Sequence, residues 1–167
     1  MFVLAPTPND YLDKPARELD LEARLRMARR REVVDPGEAR GIRTLLSELR
    51  PRIDAGRARC FLHNDVHDMN ILCTADDELL ALIDWGDAGW GDPVIDFAPI
   101  PIEAMEYVLA GYGREAPALQ EDHYRAKMVW DNLGVLLVDP IDGMPVDIPI
   151  EAMRRFLEPE SRAGGGT

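Results

Sequence analysis

The segment FLHNDVHDMNIL (residues 61–72) is followed shortly by LALIDWGDAGWGDP (residues 80–93), and together they set His63, Asp65, His67, Asp68, Asn70, Asp84, Asp87 and Asp92 between apolar runs. So many polar groups beside apolar strands are costly unless each finds a partner. RCFLH (59–63), NILCT (70–74) and LLALIDW (79–85) are short and rich in branched or aromatic residues, and ADDE (75–78) separates the last two. The pattern predicts a small β-hairpin, with the polar cluster at strand ends and in the adjoining loop.

Helical patterns flank this region. A first helix is expected to start near Pro15, with acids early and arginines late to match the helix dipole, and Arg29, Arg30 and Arg31 solvated. A second is signed by a capping box, Asp35 with Glu38 around Pro36, and by an apolar face of Ile42, Leu45, Leu46 and Leu49; Pro51 helps to stop it. After the strands, residues 93–98, PIEAMEYVLAGYG (101–113), a long segment from about Pro117 to Val138, and IEAMRRFLE (150–158) read as helices. DPIDGMPVDIP (139–149) reads as a loop and SRAGGGT (161–167) as a frayed, disordered tail. Tyr124 and Trp130 fall at core spacing. The expected architecture is α+β: helices around one hairpin, in a single domain over residues 1–160.

A chain of 167 residues with 46% hydrophobic and 30% charged composition suits one globular domain. No apolar run approaches the roughly 20 residues of a membrane span, and MFVLAP lacks the basic flank of a signal peptide, so a cytoplasmic location is expected. Cys60 and Cys73 are expected to stay reduced. The net charge of -12 is uneven: residues 1–60 hold 13 basic and 10 acidic side chains, residues 61–167 hold 6 and 21. That argues against nucleic acid or membrane partners for the later part and favours a cationic ligand there, although solubility alone also accounts for it.

Asp65, Asn70 and Asp84 form a costly set for packing alone. Hard divalent cations take oxygen ligands, so Asn70 and Asp84 suit magnesium, while Asp65 suits the acceptance of a hydroxyl proton. This division of labour matches kinase phosphoryl transfer. His63 is expected as a packed imidazole bonded to loop backbone, and His67 either contacts phosphate or stabilises the loop. Asp87 and Asp92, beside Gly86 and Gly91, read as turn residues. Trp85 and Trp90 either line a cleft or pack.

HNDVHDMN (63–70) with IDWGDAGWGDP (83–93) and the trailing GDPVID that ends at Asp96 resembles the catalytic and metal-binding loops of the aminoglycoside phosphotransferase family, relatives of the protein kinases. The resemblance implies that Asp65 is the base, that Asn70 and Asp84 bind Mg2+ and the nucleotide, ATP or GTP, and that Asp96 braces the catalytic loop. It implies the mostly helical larger lobe of a kinase-like fold, acting on a hydroxyl of a small, cationic molecule such as an aminoglycoside or related metabolite.

The sequence departs from that family at Asn64, Asp68 and Met69, where small residues or proline are usual. Before His63 there is no Gly-rich phosphate loop on a strand pair and no strand lysine paired with a helix glutamate; Lys14 is the only lysine upstream. The expectation is therefore a larger lobe without its nucleotide-binding partner lobe, weakly active or acting as a non-catalytic binding or regulatory module that self-associates through the uncovered face. A zinc site from His63, Asp65 and His67, which alternate along the chain, is a further alternative.

Overall fold

Helix α1 (Leu21–Arg30) starts where the Asp20 carboxylate accepts the Ala23 N–H at 2.8 Å, and it buries Leu21, Leu25 and Ala28 on one face. The computed structural model describes residues 20–53, 60–112, 119, 121–137 and 147–158. The helix begins later than the sequence pattern suggested, because a side chain that caps the first turn decides the start; Pro15 lies outside the described residues. Arg29 is not merely solvated, since its guanidinium donates to the Val34 carbonyl just past the helix. Helix α2 (Pro36–Leu49) opens on the complete capping box, Glu38 N–H to Asp35 Oδ1 at 2.9 Å and Asp35 N–H to Glu38 Oε2 at 2.8 Å. Its buried face is Ala39, Ile42, Leu45, Leu46 and Leu49.

The strands form two antiparallel pairs. Strand β1 (Cys60–Leu62) pairs with β4 (Gly89–Gly91) in the register Phe61 opposite Trp90, and β2 (Ile71–Cys73) pairs with β3 (Leu79–Leu82) with Ile71 opposite Leu82. The β2–β3 hairpin turns through Thr74, whose hydroxyl accepts the Asp76 and Glu78 N–H groups. The β1–β4 pair corrects the expectation of a single hairpin. GWG carries no run of branched residues to mark it, and its partner lies some thirty residues upstream. A Cβ at position 91 would sit 2.8 Å from Leu62 Cδ1, so a larger residue there would have to displace the buried Leu62 side chain.

Past β4 the chain makes 3-10 turns at Pro93–Phe97 and Ile102–Ala104, then α3 (Met105–Tyr112), α4 (Asp122–Leu136) and α5 (Ile150–Leu157). Residues 93–98, expected as a helix, thus take the tighter 3-10 form. Pro117, Val138, most of the 139–149 loop and the 161–167 tail lie outside the described residues. Helix α4 packs against α1, α2, α5 and the Pro93–Phe97 turn. It is buried almost all round, through Tyr124, Ala126, Met128, Val129, Trp130 and Leu133 among others, as a central helix must be. The result is α+β: a helical core with two small sheets on it. Among the described residues no helix is long and apolar enough to cross a membrane. Cys60 and Cys73 are free and on different sheets.

Several polar groups are buried on α4. Arg125 bonds the Glu106 carboxylate and the Phe156 carbonyl and lies 4.7 Å over the Phe156 ring. Asn132 donates to the carbonyls of Ala98 and Ile100. Lys127 lies 3.1 Å from Asp131 Oδ2 and 3.7 Å from Asp92 Oδ2. Burial pushes the Asp131 carboxyl above the ordinary carboxylate range, with Lys127 opposing the rise and Asp92 adding to it. A carboxyl with a raised folded-state pKa binds its proton more readily folded than unfolded. Its contribution therefore falls as pH rises through the window above the unfolded value of about 3.9. We predict that urea unfolding of wild type and Asp131→Asn across pH 3.5–7 shows wild type losing stability relative to the variant as pH rises through that window. A pH-independent difference would contradict it.

Candidate active site

The polar loop between β1 and β2 is held from below. Asp96, on the Pro93–Phe97 turn, accepts the His63 N–H with Oδ2 at 2.9 Å and the Asn64 N–H with Oδ1 at 2.7 Å. One carboxylate therefore binds two successive backbone donors, a charge-assisted arrangement stronger than a neutral pair. His63 is buried, and its Nε2 lies 2.8 Å from the Ile83 carbonyl, which fixes the Nε2–H tautomer. Its Nδ1 is buried with no hydrogen-bond partner among the described residues. The Trp85 ring stacks edge-on against it at 4.6 Å, and Phe61 lies between Trp85 and Trp90, which resolves the tryptophans into one aromatic cluster whose Trp85 is half exposed.

Asn64 has φ 65°, a left-handed conformation that asparagine tolerates better than most residues, and its side chain donates to the Asp87 carbonyl at 2.9 Å. The asparagine at a position where small residues are usual is thus explained by backbone shape, and it ties the two polar segments together.

Asp65 and Asn70 come together. Asn70 is buried and its Nδ2 lies 2.9 Å from the Asp65 carbonyl, 3.0 Å from Asp65 Oδ2 and 3.1 Å from His67 Nε2. His67 Nε2 lies between Asn70 Nδ2, at 3.1 Å, and Asp65 Oδ2, at 3.5 Å. His67 therefore belongs to the hydrogen-bonded set around Asp65. Asp68 and Met69 project into solvent.

Asp84 follows directly on the pairing that extends the hairpin, Ile83 N–H to the Asn70 carbonyl at 2.9 Å. This places it at the same end of the hairpin as Asn70. It has φ 61° and ψ 66°, and its exposed carboxylate caps no backbone donor of the Trp85–Asp87 turn that it precedes. A non-glycine residue held left-handed costs on the order of 1–3 kcal/mol and tends to mark a site. Asp87 lies in that turn, whereas Asp92 is more than a turn residue: it is buried, caps Val94 and faces Lys127.

Among the described residues no three or more His, Cys, Asp or Glu side chains gather to hold a metal ion. The zinc arrangement is therefore corrected, because His63 turns to the Ile83 carbonyl while His67 turns to Asp65. The Asn70 amide oxygen and the Asp84 carboxylate, at one end of the hairpin, are oxygen donors of the kind a hard cation takes. Burial pushes the Cys60 thiol up, Asp96 and Asp92 add to the rise, and a Tyr112 hydrogen bond opposes it. Lys127 and Asp131 went unnoticed in the sequence. The signal available was that Lys127 is one of only two lysines and stands inside the apolar stretch AKMVW.

A carboxylate thus braces a polar loop in which Asp65, Asn70 and His67 meet, and Asp84 follows at the same end of the hairpin. The family model described as APH, phosphotransferase enzyme family, matches residues 4–126. That span contains both polar segments and Asp96, and the chain belongs to this family. No curated protein and no solved structure matches the chain.

Asp96→Ala removes two charge-assisted bonds to backbone donors. We predict a loss of about 1.5–3 kcal/mol in unfolding free energy, read by urea titration, with retained helical circular dichroism. An effect within error of zero would show that the brace carries no weight.

Proposed function

We propose that this chain binds a magnesium nucleotide, ATP or GTP, and transfers its γ-phosphoryl group to a hydroxyl of a small molecule. The observation that carries the proposal is the hydrogen-bonded set of Asp65, Asn70 and His67, at the hairpin end where Ile83, the residue before Asp84, bonds the Asn70 carbonyl. Asp65 Oδ2 is oriented by the Asn70 amide and His67, so the carboxylate can accept the acceptor's proton as its oxygen attacks the γ-phosphorus. The bond to the β,γ-bridging oxygen breaks and the nucleoside diphosphate leaves. Asn70 and Asp84 would hold Mg2+, which supplies charge neutralisation for the phosphates. His67 supports Asp65, while His63 and Asp96 fix the loop backbone. The acidic excess after residue 60 favours a cationic acceptor, such as an aminoglycoside or a related amine-bearing metabolite, over nucleic acid.

Two measurements test this. Calorimetric binding of Mg-ATP or Mg-GTP is expected to be lost in Asp84→Ala. Phosphoryl transfer to a panel of aminoglycosides, sugars and macrolides is expected to fall about 10²- to 10⁴-fold in Asp65→Ala. Nucleotide binding indifferent to Asp84→Ala would overturn the proposal.

A second function is favoured by one specific observation. Phe61, Ile71, Leu72, Leu79, Leu80 and Trp85 are exposed around β1 and the hairpin, Leu79 at 70%, more apolar surface than single scattered residues would give. A non-catalytic, kinase-like binding module that self-associates through this face would cover them. It predicts a concentration-dependent dimer in sedimentation velocity that Leu79→Glu with Leu80→Lys abolishes. A strictly monomeric chain would discard it.

A further inference from the structure

Asp96 can hold the loop backbone only if its own short turn is held, and α4 grips that turn at both ends. At the start, Asp92 caps the turn through the Val94 N–H at 3.0 Å while its Oδ2 lies 3.7 Å from the Lys127 ammonium. Lys127 is bonded in turn to Asp131, four residues along α4, at 3.1 Å. At the end, Asn132 Nδ2 donates to the carbonyls of Ala98 at 3.0 Å and Ile100 at 2.9 Å. Asp92 and Asn132 are buried and the Lys127 side chain is 12% exposed. Apolar side chains could fill such space with less desolvation cost, so these groups are weak evidence of stability for its own sake. What they do supply is one fixed placement of the turn relative to α4.

We propose that Lys127 is a positioning residue for the loop that carries Asp65. Together with Asn132 it fixes the Pro93–Phe97 turn against α4, and the turn passes that placement through Asp96 to the His63 and Asn64 backbone. Lys127 itself pairs with Asp92 and Asp131, not with the loop. Its loss removes the contact that ties Asp92, the cap of the turn and four residues from Asp96, to α4. The chemical importance of the loop rests on the phosphotransfer proposal above, whereas the positioning does not.

The test is amide hydrogen exchange on the full chain, comparing wild type with Lys127→Met and Asn132→Leu. Both variants are expected to raise exchange at the His63 and Asn64 amides by about tenfold or more while Leu45 and Leu46 of α2 keep their rates. Asn132→Leu removes no charge and keeps the test decisive if Lys127→Met does not fold. Unchanged loop amides, or a uniform rise that includes α2, would overturn the proposal by showing no role or only global stabilisation. Failure of Mg-ATP to bind would sink the phosphotransfer proposal and leave the exchange result standing.

Discussion

The contact on which the site depends is the Asp96 carboxylate against two successive backbone N–H groups, those of His63 and Asn64. A loop that exposes acidic side chains on one side must still satisfy its own donors on the other, and no strand ladder is available to do so once β1 has ended at Leu62. A single carboxylate meets both donors and fixes the chain direction just before Asp65. Because Asp96 sits on a turn packed against α4, the geometry of the polar loop is inherited from the helical core.

That inheritance matters because the site is locally strained. Four non-glycine residues among those described have positive φ, and two of them are Asn64, directly before Asp65, and Asp84, at the hairpin end that holds Asn70. Left-handed backbone of this kind persists only where its surroundings over-determine it. For Asn64 the surroundings are the Asp96 bond and the Asp87 carbonyl. Around Asp84 they are the Ile83 contacts to Asn70 and His63 on one side and the Trp85 indole bonded to the Leu82 carbonyl on the other.

The parts of this structure legible in the sequence are those set by local chemistry. The capping box of α2 needs only residues 35 to 38, the β2–β3 hairpin is marked by two branched runs around an acidic turn, and the phosphotransferase resemblance, which the family match bears out, lies in short motifs. What escaped was set by distant partners. Strand β4 is a Gly-Trp-Gly segment that becomes a strand only because Cys60, Phe61 and Leu62 lie opposite it. Asp92 looked like a turn residue since the ammonium that faces it arrives 35 positions later on a helix whose start, at Asp122, no side chain caps. Helix α4 gives no single apolar stripe because it is buried almost all round, so polar residues on it carry no positional signature.

The hairpin raises a last physical point. Two isolated strands are marginal in water, and here Ile71, Leu72, Cys73, Leu79 and Leu80 are all exposed. Burial therefore cannot be what orders β2 and β3. Order enters from one end, where Ile83 and Leu82 are bonded to Asn70, His63 and Trp85, and it is at this end that Asn70 and Asp84 stand. Among the described residues, the Thr74–Glu78 turn is secured only by its own hydrogen bonds. The two oxygen donors thus lie on the part of the hairpin tied through His63 and Asp96 to the core rather than on the arm beyond it.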